Sequence, residues 1–108
     1  MSWFRVGKIE VARIVEVEEP FLRPEQMFVE ATPEAVAPHL EWLLPHAMCA
    51  ETGKLILPIQ TYVVRTAHHV ALVDTCLGCH KSPAGFKRWA GRTDEAWLQR
   101  LAAIGVTP

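Results

Sequence analysis

The sequence lacks the features that identify membrane-spanning, secreted and nucleic-acid-binding chains. No uninterrupted apolar run approaches the ~20 residues that a transmembrane helix needs. Residues 1–11 alternate polar and apolar side chains instead of forming the apolar region of a signal peptide. The formal net charge is -1 and the basic residues are scattered, so no electrostatic footprint for nucleic acid is present. We therefore expect a cytoplasmic protein that binds neither membranes nor nucleic acid.

Common catalytic motifs are also missing. The chain has no Gly-rich phosphate-binding loop, no nucleophile elbow and no His-Glu-x-x-His pair. It has only three cysteines, and an odd number in a reducing compartment argues against a disulfide framework. What the sequence does have is apolar content. Hydrophobic residues make up 50% and charged residues 21%, which is typical of a packed soluble domain and excludes disorder.

Alternating patterns predict two antiparallel hairpins, of which the first comprises residues 3–6 and 9–17. Gly7 supplies the positive φ that its two-residue loop requires. Four apolar residues of the second strand share one face, which we expect to be buried, namely Ile9, Val11, Val15 and Val17. Glu10 and Glu16 lie on the opposite face, so the strand should be half-buried.

The second hairpin contains the strongest strand patterns in the chain. Residues 55–65 and 70–75 are rich in β-branched and apolar side chains, and His68 and His69 lie at the predicted tip between them. Residues 70–73 are apolar on both faces. This pattern predicts a central strand in a sheet that is covered on both sides.

One short helix is predicted in the middle of the chain. Thr32 followed by a proline is typical of a helix start. Pro38 and Pro45 limit this helix to a short or kinked segment. Residues 19–31 precede it and have no periodicity, so we expect a loop that shapes a substrate mouth or a dimer contact.

A second helix is predicted near the end of the sequence. Thr93 is its expected cap, residues 94–104 its body, and Gly105 its end. The predicted fold class is therefore α+β, with a mixed, mainly antiparallel sheet and two short helices.

The cysteines form the most suggestive cluster. Cys76-x-x-Cys79 followed by His80 matches the pattern for covalent haem attachment, and a Cys-x-x-Cys after an apolar strand also occurs in thioredoxin-like redox proteins. Haem attachment normally requires export. A thioredoxin-like site requires a helix directly after the cysteines, where residues 81–85 are instead rich in turn formers. Both interpretations therefore meet an objection.

A structural zinc site is the third interpretation. His46 and Cys49 form one pair with a two-residue gap, and Cys76 and Cys79 form another, so a Cys3His set of ligands can be drawn. Such a site would make the chain a small stand-alone structural or binding module. The remaining alternative is that these side chains are small buried hydrophobes at a strand end. The sequence leaves the four interpretations open.

Two segments resemble the start of the metallo-β-lactamase fold. Residues 58–66 run Pro-Ile-Gln-Thr-Tyr-Val-Val-Arg-Thr, and residues 71–78 run Ala-Leu-Val-Asp-Thr-Cys-Leu-Gly. The hairpin at residues 4–11 and the helix at residues 97–106 are similar to elements of the same family of metal-dependent hydrolases, which has lactonase-like and phosphotriesterase-like members. The resemblance covers nearly all of residues 1–108 and identifies them as the N-terminal half of such a domain.

The resemblance implies a role for Asp74 but no metal ligand in this chain. In the family an Asp at the end of a hairpin lies below the metal site and orients the loop that carries the metal-binding histidines, and Asp74 matches it. A strand-end Asp that caps the following turn is the simpler alternative. The family's His-x-His-x-Asp-His motif does not occur in this sequence. The segment is therefore expected to be truncated before that motif and inactive alone.

For the complete domain, the resemblance implies a four-layer αββα sandwich that holds one or two zinc-like ions. A metal-bound hydroxide would attack an ester, lactone, amide or phosphoester. The partners expected for this chain are the remainder of its own domain and, once the domain is complete, a small-molecule substrate. Half a sandwich exposes an apolar sheet face, so association into homo-oligomers is also expected.

Overall fold

A computed structural model describes residues 3–81 and 87–107 of the chain. The fold is mixed α+β, with a four-stranded antiparallel sheet in the order β1-β2-β3-β4 and several short helices. The strands are β1 (Trp3–Val6), β2 (Ile9–Leu22), β3 (Leu55–Arg65) and β4 (Val70–Val73). The predicted α+β class and both predicted hairpins are confirmed, whereas the αββα sandwich stays a prediction.

The helices are more numerous and shorter than the two that were predicted. They are α1 (Pro24–Met27), α2 (Pro33–Val36), α3 (Leu40–Leu43) and α4 (Ala96–Ala103), with 3-10 turns at Ala37–His39 and Lys87–Trp89. None of the helices in the described residues is both long and apolar enough to cross a bilayer. The chain divides into two compact units, the first made of Met1–Val17 with Ile59–Pro108 and the second of Glu18–Pro58.

Helix α4 covers one face of the sheet in the first unit. The buried cluster consists of two side chains from β2, one from β3 and two from α4, namely Ala12, Ile14, Val63, Trp97 and Leu101. Burial of a large apolar side chain contributes about 1.5–3 kcal/mol, so the packing of Trp97 and Leu101 on the sheet is expected to stabilise this unit by several kcal/mol.

The predicted buried face of β2 is wrong in the first unit. The core side chains are Ala12 and Ile14, at even positions, whereas Ile9 at an odd position is 38% exposed. The odd positions carry more apolar residues, which is why the alternating pattern favoured them. The face that carries the even-numbered residues is buried because α4 packs on it. This contact is long-range in sequence, so the local pattern does not predict it.

Strand β4 lies at the edge of the described sheet and not at its centre, as the sequence predicted. Val70 is 52% exposed and Val73 is 55% exposed, while Leu72 packs against the core. Within the described residues, β4, although apolar on both faces, is therefore not a central strand of the sheet. An apolar edge strand presents backbone groups and side chains to which another strand can pair.

The second unit confirms the predicted helix start and corrects the loop before it. The Thr32 hydroxyl oxygen accepts a hydrogen bond from the Ala35 N–H at 3.2 Å, and a 3-10 turn that contains Pro38 separates α2 from α3. Residues 19–31 are not a continuous loop, because β2 extends through Leu22 and α1 begins at Pro24. A proline at position 20 suggested a loop, but a strand tolerates proline where no ladder hydrogen bond needs its N–H.

The cap of α4 also differs from the prediction. The N-cap residue is Glu95 and not Thr93, and Asp94 Oδ1 accepts a hydrogen bond from the Ala96 N–H at 2.9 Å. At the other end, Gly105 has the expected left-handed conformation, with a φ of +81°. Arg65 Nη2 donates to the Ile104 carbonyl oxygen at 3.0 Å, which ties the end of the helix to β3.

Candidate functional site

The segment that follows β4, residues 74–81, has an unusual backbone. Asp74, Cys76 and His80 have φ values of 70°, 60° and 56°, and Gly78 has a φ of 77°. Left-handed conformations are rare for residues other than glycine, and they persist where the surrounding structure holds them in place. Three non-glycine residues in this conformation within seven positions indicate a tightly held segment, which we call the 74–81 loop.

Asp74 anchors the start of the 74–81 loop. Its Oδ1 atom accepts a hydrogen bond from the Cys76 N–H at 2.7 Å. The Thr61 hydroxyl, on a fully buried residue of β3, hydrogen-bonds to the carbonyl oxygens of Val73, at 3.1 Å, and of Asp74, at 2.5 Å. Asp74 thus caps the turn after the strand, as the simpler sequence interpretation expected. The role that the family resemblance implies for it stays a prediction.

Glu16 of β2 forms a hydrogen bond with the middle of the 74–81 loop. Its side chain is 2% exposed, and its Oε2 atom accepts a hydrogen bond from the Leu77 N–H at 2.8 Å. Its Oε1 atom lies 3.8 Å from Arg92 Nε, close enough for an ion pair. The sequence predicted Glu16 on the outer face of a half-buried strand, whereas the buried face of β2 in fact carries it. Buried carboxylates persist where such partners compensate the charge.

The three cysteines are free thiols in different environments. Burial raises the pKa of the Cys76 thiol to about 12, and the negative charges of Glu16 and Asp74 add to the shift. The pKa of the Cys49 thiol is lowered, mainly by a hydrogen bond from the Thr52 side chain. Because the thiolate is the nucleophile and the metal ligand, Cys76 is the less reactive of the two at neutral pH.

This difference predicts unequal alkylation. At pH 8, iodoacetamide is expected to modify Cys49 at least about thirtyfold faster than Cys76. The rise in the pKa of Cys76 from 9.0 to about 12 alone lowers its thiolate fraction about a thousandfold, and the greater nucleophilicity of the more basic thiolate offsets part of that loss. Peptide mass spectrometry over a time course measures both rates. In 6 M guanidinium the two rates should become equal within a few-fold. Equal rates in the folded chain would contradict the burial of Cys76.

The end of the 74–81 loop brings three metal-binding residue types together. One ligand atom from each of Cys79, His80 and Glu95 lies within 4.8 Å of the others. His80 Nε2 and Glu95 Oε1 are 3.3 Å apart. Cys79 is half-buried, while the side chains of His80 and Glu95 are 60% and 53% exposed. We call these three residues the Cys79–His80–Glu95 cluster.

The four residues of the predicted Cys3His zinc site belong to two different units of the chain. His46 and Cys49 belong to the second unit, and Cys76 and Cys79 to the first. Among the described residues, the Cys79–His80–Glu95 cluster is the group of three or more suitable side chains that converges. The Cys3His site stays a prediction. Residues 76–81 contain no helix. The predicted turn at residues 81–85 lies mostly outside the described residues, so the thioredoxin-like interpretation stays untested.

Sequence reasoning missed Glu16 and Glu95 as partners of the cysteine segment. Glu95 is 15 positions after His80, and Glu16 is 61 positions before Leu77. Neither is within the short windows in which ligand spacing is diagnostic. No signal in the sequence singled out Glu16, which is one of four glutamates in β2.

Comparison of the chain with protein-family models, with curated proteins and with solved structures gave no significant match. The metallo-β-lactamase resemblance therefore rests on the segments quoted above. The family's His-x-His pair does not occur in the 108 residues, so no metal ligand of that family is assigned to a residue of this chain.

Proposed function

We propose that this chain is the N-terminal portion of a metallo-β-lactamase-like, metal-dependent hydrolase that acts on ester, lactone or phosphoester substrates. We further propose that it is inactive alone. The resemblance of residues 58–66 and 71–78 supplies the family. The observation that carries the proposal is an apolar sheet face in the first unit, opposite the face on which α4 packs.

That face begins in the first hairpin. Phe4 pairs with Val11, and Val6 pairs with Ile9, so these side chains lie on the face away from the core residue Ala12. Phe4 is 51% exposed and Val6 is 61% exposed. We call the residues of this face the open sheet face.

The open sheet face continues in the second hairpin. Tyr62 pairs with Val73, and Val64 pairs with Ala71, one position out of step with the buried Val63. Side chains alternate across a strand, so these four residues lie on the face away from α4. Arg13 of β2 lies on the same face, between the two hairpins, and the other residues named here are apolar or aromatic. A face of this composition is suited to the interface between the two sheets of a sandwich. The exposed apolar edge of β4 is suited to pairing with a further strand of the same domain.

The chain itself carries no residue to which the family's metal chemistry can be assigned. Its contribution to the complete domain would be architectural: one half of the sheet interface, and Asp74 at the end of β4. There the carboxylate already fixes one turn of the 74–81 loop through the Cys76 N–H. In the proposed domain its other oxygen would support the histidine-bearing loop.

Activity measurements test the proposed inactivity. The purified chain, supplied with Zn²⁺ or Mn²⁺, is expected to hydrolyse an aryl ester, a lactone and an aryl phosphotriester no faster than metal and buffer alone. Reading the gene beyond the codon for Pro108 tests the family, and a His-x-His-x-Asp-His motif in frame is the expected result. Metal-dependent turnover by the chain alone, or a stop codon at that point, would overturn the proposal.

The open sheet face predicts self-association of the chain alone. Sedimentation equilibrium should show reversible oligomers, and the double substitution Phe4→Thr with Val6→Thr should weaken the association by at least about tenfold, because it removes exposed apolar area. Val29→Thr is the matched control, since Val29 is 90% exposed but belongs to the second unit. A monomer at all concentrations, or an equal effect of the control, would contradict the prediction.

A further inference from the structure

The Cys79–His80–Glu95 cluster offers a complete set of zinc-type donors outside any site that the family resemblance implies. It contains one sulfur, one imidazole nitrogen and one carboxylate oxygen. These are the donor types that bind Zn²⁺ in proteins. We propose that these three residues bind one divalent ion of the zinc class and that the fourth coordination position is open to water or an added ligand.

The distances in the cluster suit such an ion. Zinc bonds of about 2.0–2.3 Å in a tetrahedron place the ligand atoms roughly 3.3–3.8 Å apart. The His80 and Glu95 atoms are already 3.3 Å apart, and the remaining separations are no more than 4.8 Å. Small side-chain rotations therefore close the site, and the backbone does not have to move.

The backbone around the cluster is held before any ion binds. The His80 N–H donates to the Arg92 carbonyl oxygen at 2.6 Å, and the Gly91 N–H donates to the Lys81 carbonyl oxygen at 3.0 Å. These two bonds join the end of the 74–81 loop to the segment that leads into α4. Glu95 is the residue before the first turn of α4, so the helix fixes its position. A site whose ligands are positioned in advance loses less conformational entropy on binding.

The types of ligand atom in the cluster favour some metal ions over others. A thiolate and an imidazole favour Zn²⁺, and Co²⁺ as its spectroscopic substitute, over Mg²⁺ and Ca²⁺, which prefer oxygen ligands. The thiolate and the carboxylate together neutralise the charge of a divalent ion. With three protein ligands the site has the coordination of a zinc ion that keeps an exchangeable position. A bound ion would join the 74–81 loop to the start of α4.

The competing explanation is an ordinary surface ion pair. His80 and Glu95 alone would form a salt bridge when the imidazole is protonated, and exposed pairs of this kind contribute little. Cys79 would then have no part in the contact. The two explanations differ in whether the thiol of Cys79 takes part, and a thiolate bond to Co²⁺ gives an absorption band that neither of the other ligands can produce.

Titration of the reduced 108-residue chain with Co²⁺ tests the proposal. A 1:1 complex with a thiolate-to-cobalt charge-transfer band in the near ultraviolet is expected, and Zn²⁺ should displace the cobalt. Cys79→Ser should abolish the band. His80→Ala and Glu95→Gln should each weaken binding on the order of 10- to 100-fold or more, as loss of a supporting group around a metal already does.

The controls separate this site from the Cys3His alternative. Cys49→Ser, Cys76→Ser and His46→Ala should leave the band and the affinity unchanged within about twofold. Circular dichroism of metal-free Cys79→Ser, which should match the original chain, shows that a lost band is not lost folding. No charge-transfer band, a band that survives Cys79→Ser, or a band lost with Cys49→Ser would each overturn the proposal. The result is independent of the proposed hydrolase, whose test is turnover and the downstream motif.

Discussion

Replacing Trp97 with alanine is expected to lower the free energy of unfolding of the first unit by about 3–5 kcal/mol. Trp97 is 8% exposed and packs in the cluster that joins α4 to the sheet. Its removal leaves a cavity beneath the helix, and no other described helix of eight residues or more belongs to this unit. A loss of this size is comparable to the ~5–15 kcal/mol that stabilises a whole domain, so the variant should be largely unfolded at 37 °C.

Trp97→Phe is the matched control. The indole Nε1 atom is buried and has no hydrogen-bond partner among the described residues. Phenylalanine keeps most of the ring volume and removes the unpaired donor, whose burial costs about 1–3 kcal/mol. The two effects offset, so Trp97→Phe should change the free energy of unfolding by no more than about 1 kcal/mol.

Urea unfolding followed by circular dichroism measures both variants against the original chain. The expected order of stability is original, then Trp97→Phe close to it, then Trp97→Ala far below. An alanine variant within 1 kcal/mol of the original chain would show that α4 does not hold the first unit together. Equal losses for both variants would mean that the indole N–H has a partner that the geometry does not reveal.

Local chemistry was sufficient to predict the sheet and its turns. Gly7 and Gly105 lie where the sequence predicted a turn and a helix end, and each has a positive φ. The limits of β3 coincide with residues 55–65 because an unbroken run of strand-forming residues is bounded by turn formers at both ends. These features depend on neighbours in sequence, which is why they could be predicted.

The faces of the strands could not be predicted in the same way. Ala12 and Ile14 are buried because α4, more than 80 positions later in the sequence, packs on their side of β2. The same contact places Glu16 on the buried face of β2, whereas the sequence predicted it on the opposite, exposed face. A two-residue period in the sequence predicts that the two faces of a strand differ. The packing of α4 determines which of the two faces is buried.

The cysteine segment shows the same limit at the level of the site. The spacing of Cys76, Cys79 and His80 suggested haem, redox and zinc sites, because motif spacing counts only residues near in sequence. In the structure the partly buried Cys76 thiol lies near the charges of Glu16 and Asp74, whereas Glu95 lies with Cys79 and His80. The start of α4 positions Glu95, and the left-handed backbone of the 74–81 loop separates Cys76 from Cys79 and His80. Neither feature can be predicted from the spacing of residues in the sequence.

Replacing Glu16 with alanine is the second change with a large expected effect. Glu16 accepts the Leu77 N–H and faces Arg92, whose Nε atom is buried without a hydrogen bond among the described residues. Removal of the carboxylate leaves the partly buried Leu77 N–H unpaired. It also leaves the Arg92 guanidinium with the exposed Asp94 carboxylate, 3.8 Å from Nη2, in place of the buried Glu16. Together these should lower the free energy of unfolding by about 2–4 kcal/mol.

Two further variants divide that loss between its causes. Glu16→Gln keeps an oxygen for the Leu77 N–H but removes the charge, so its loss should be smaller, about 1–2 kcal/mol. Combining Glu16→Leu with Arg92→Met removes both partners of the ion pair and should recover part of the stability that Glu16→Leu alone loses. Strict additivity of the two single changes in urea unfolding would show that Glu16 and Arg92 do not interact.

The position of Glu16 makes a second measurement informative. It is the buried group that fixes Leu77, two residues before Cys79, so its loss should loosen the 74–81 loop before the core unfolds. Hydrogen exchange should therefore accelerate more at Leu77 and His80 than at Val63 in Glu16→Ala. If protection at all three falls together, Glu16 supports the whole first unit, and the 74–81 loop has no stability of its own to lose.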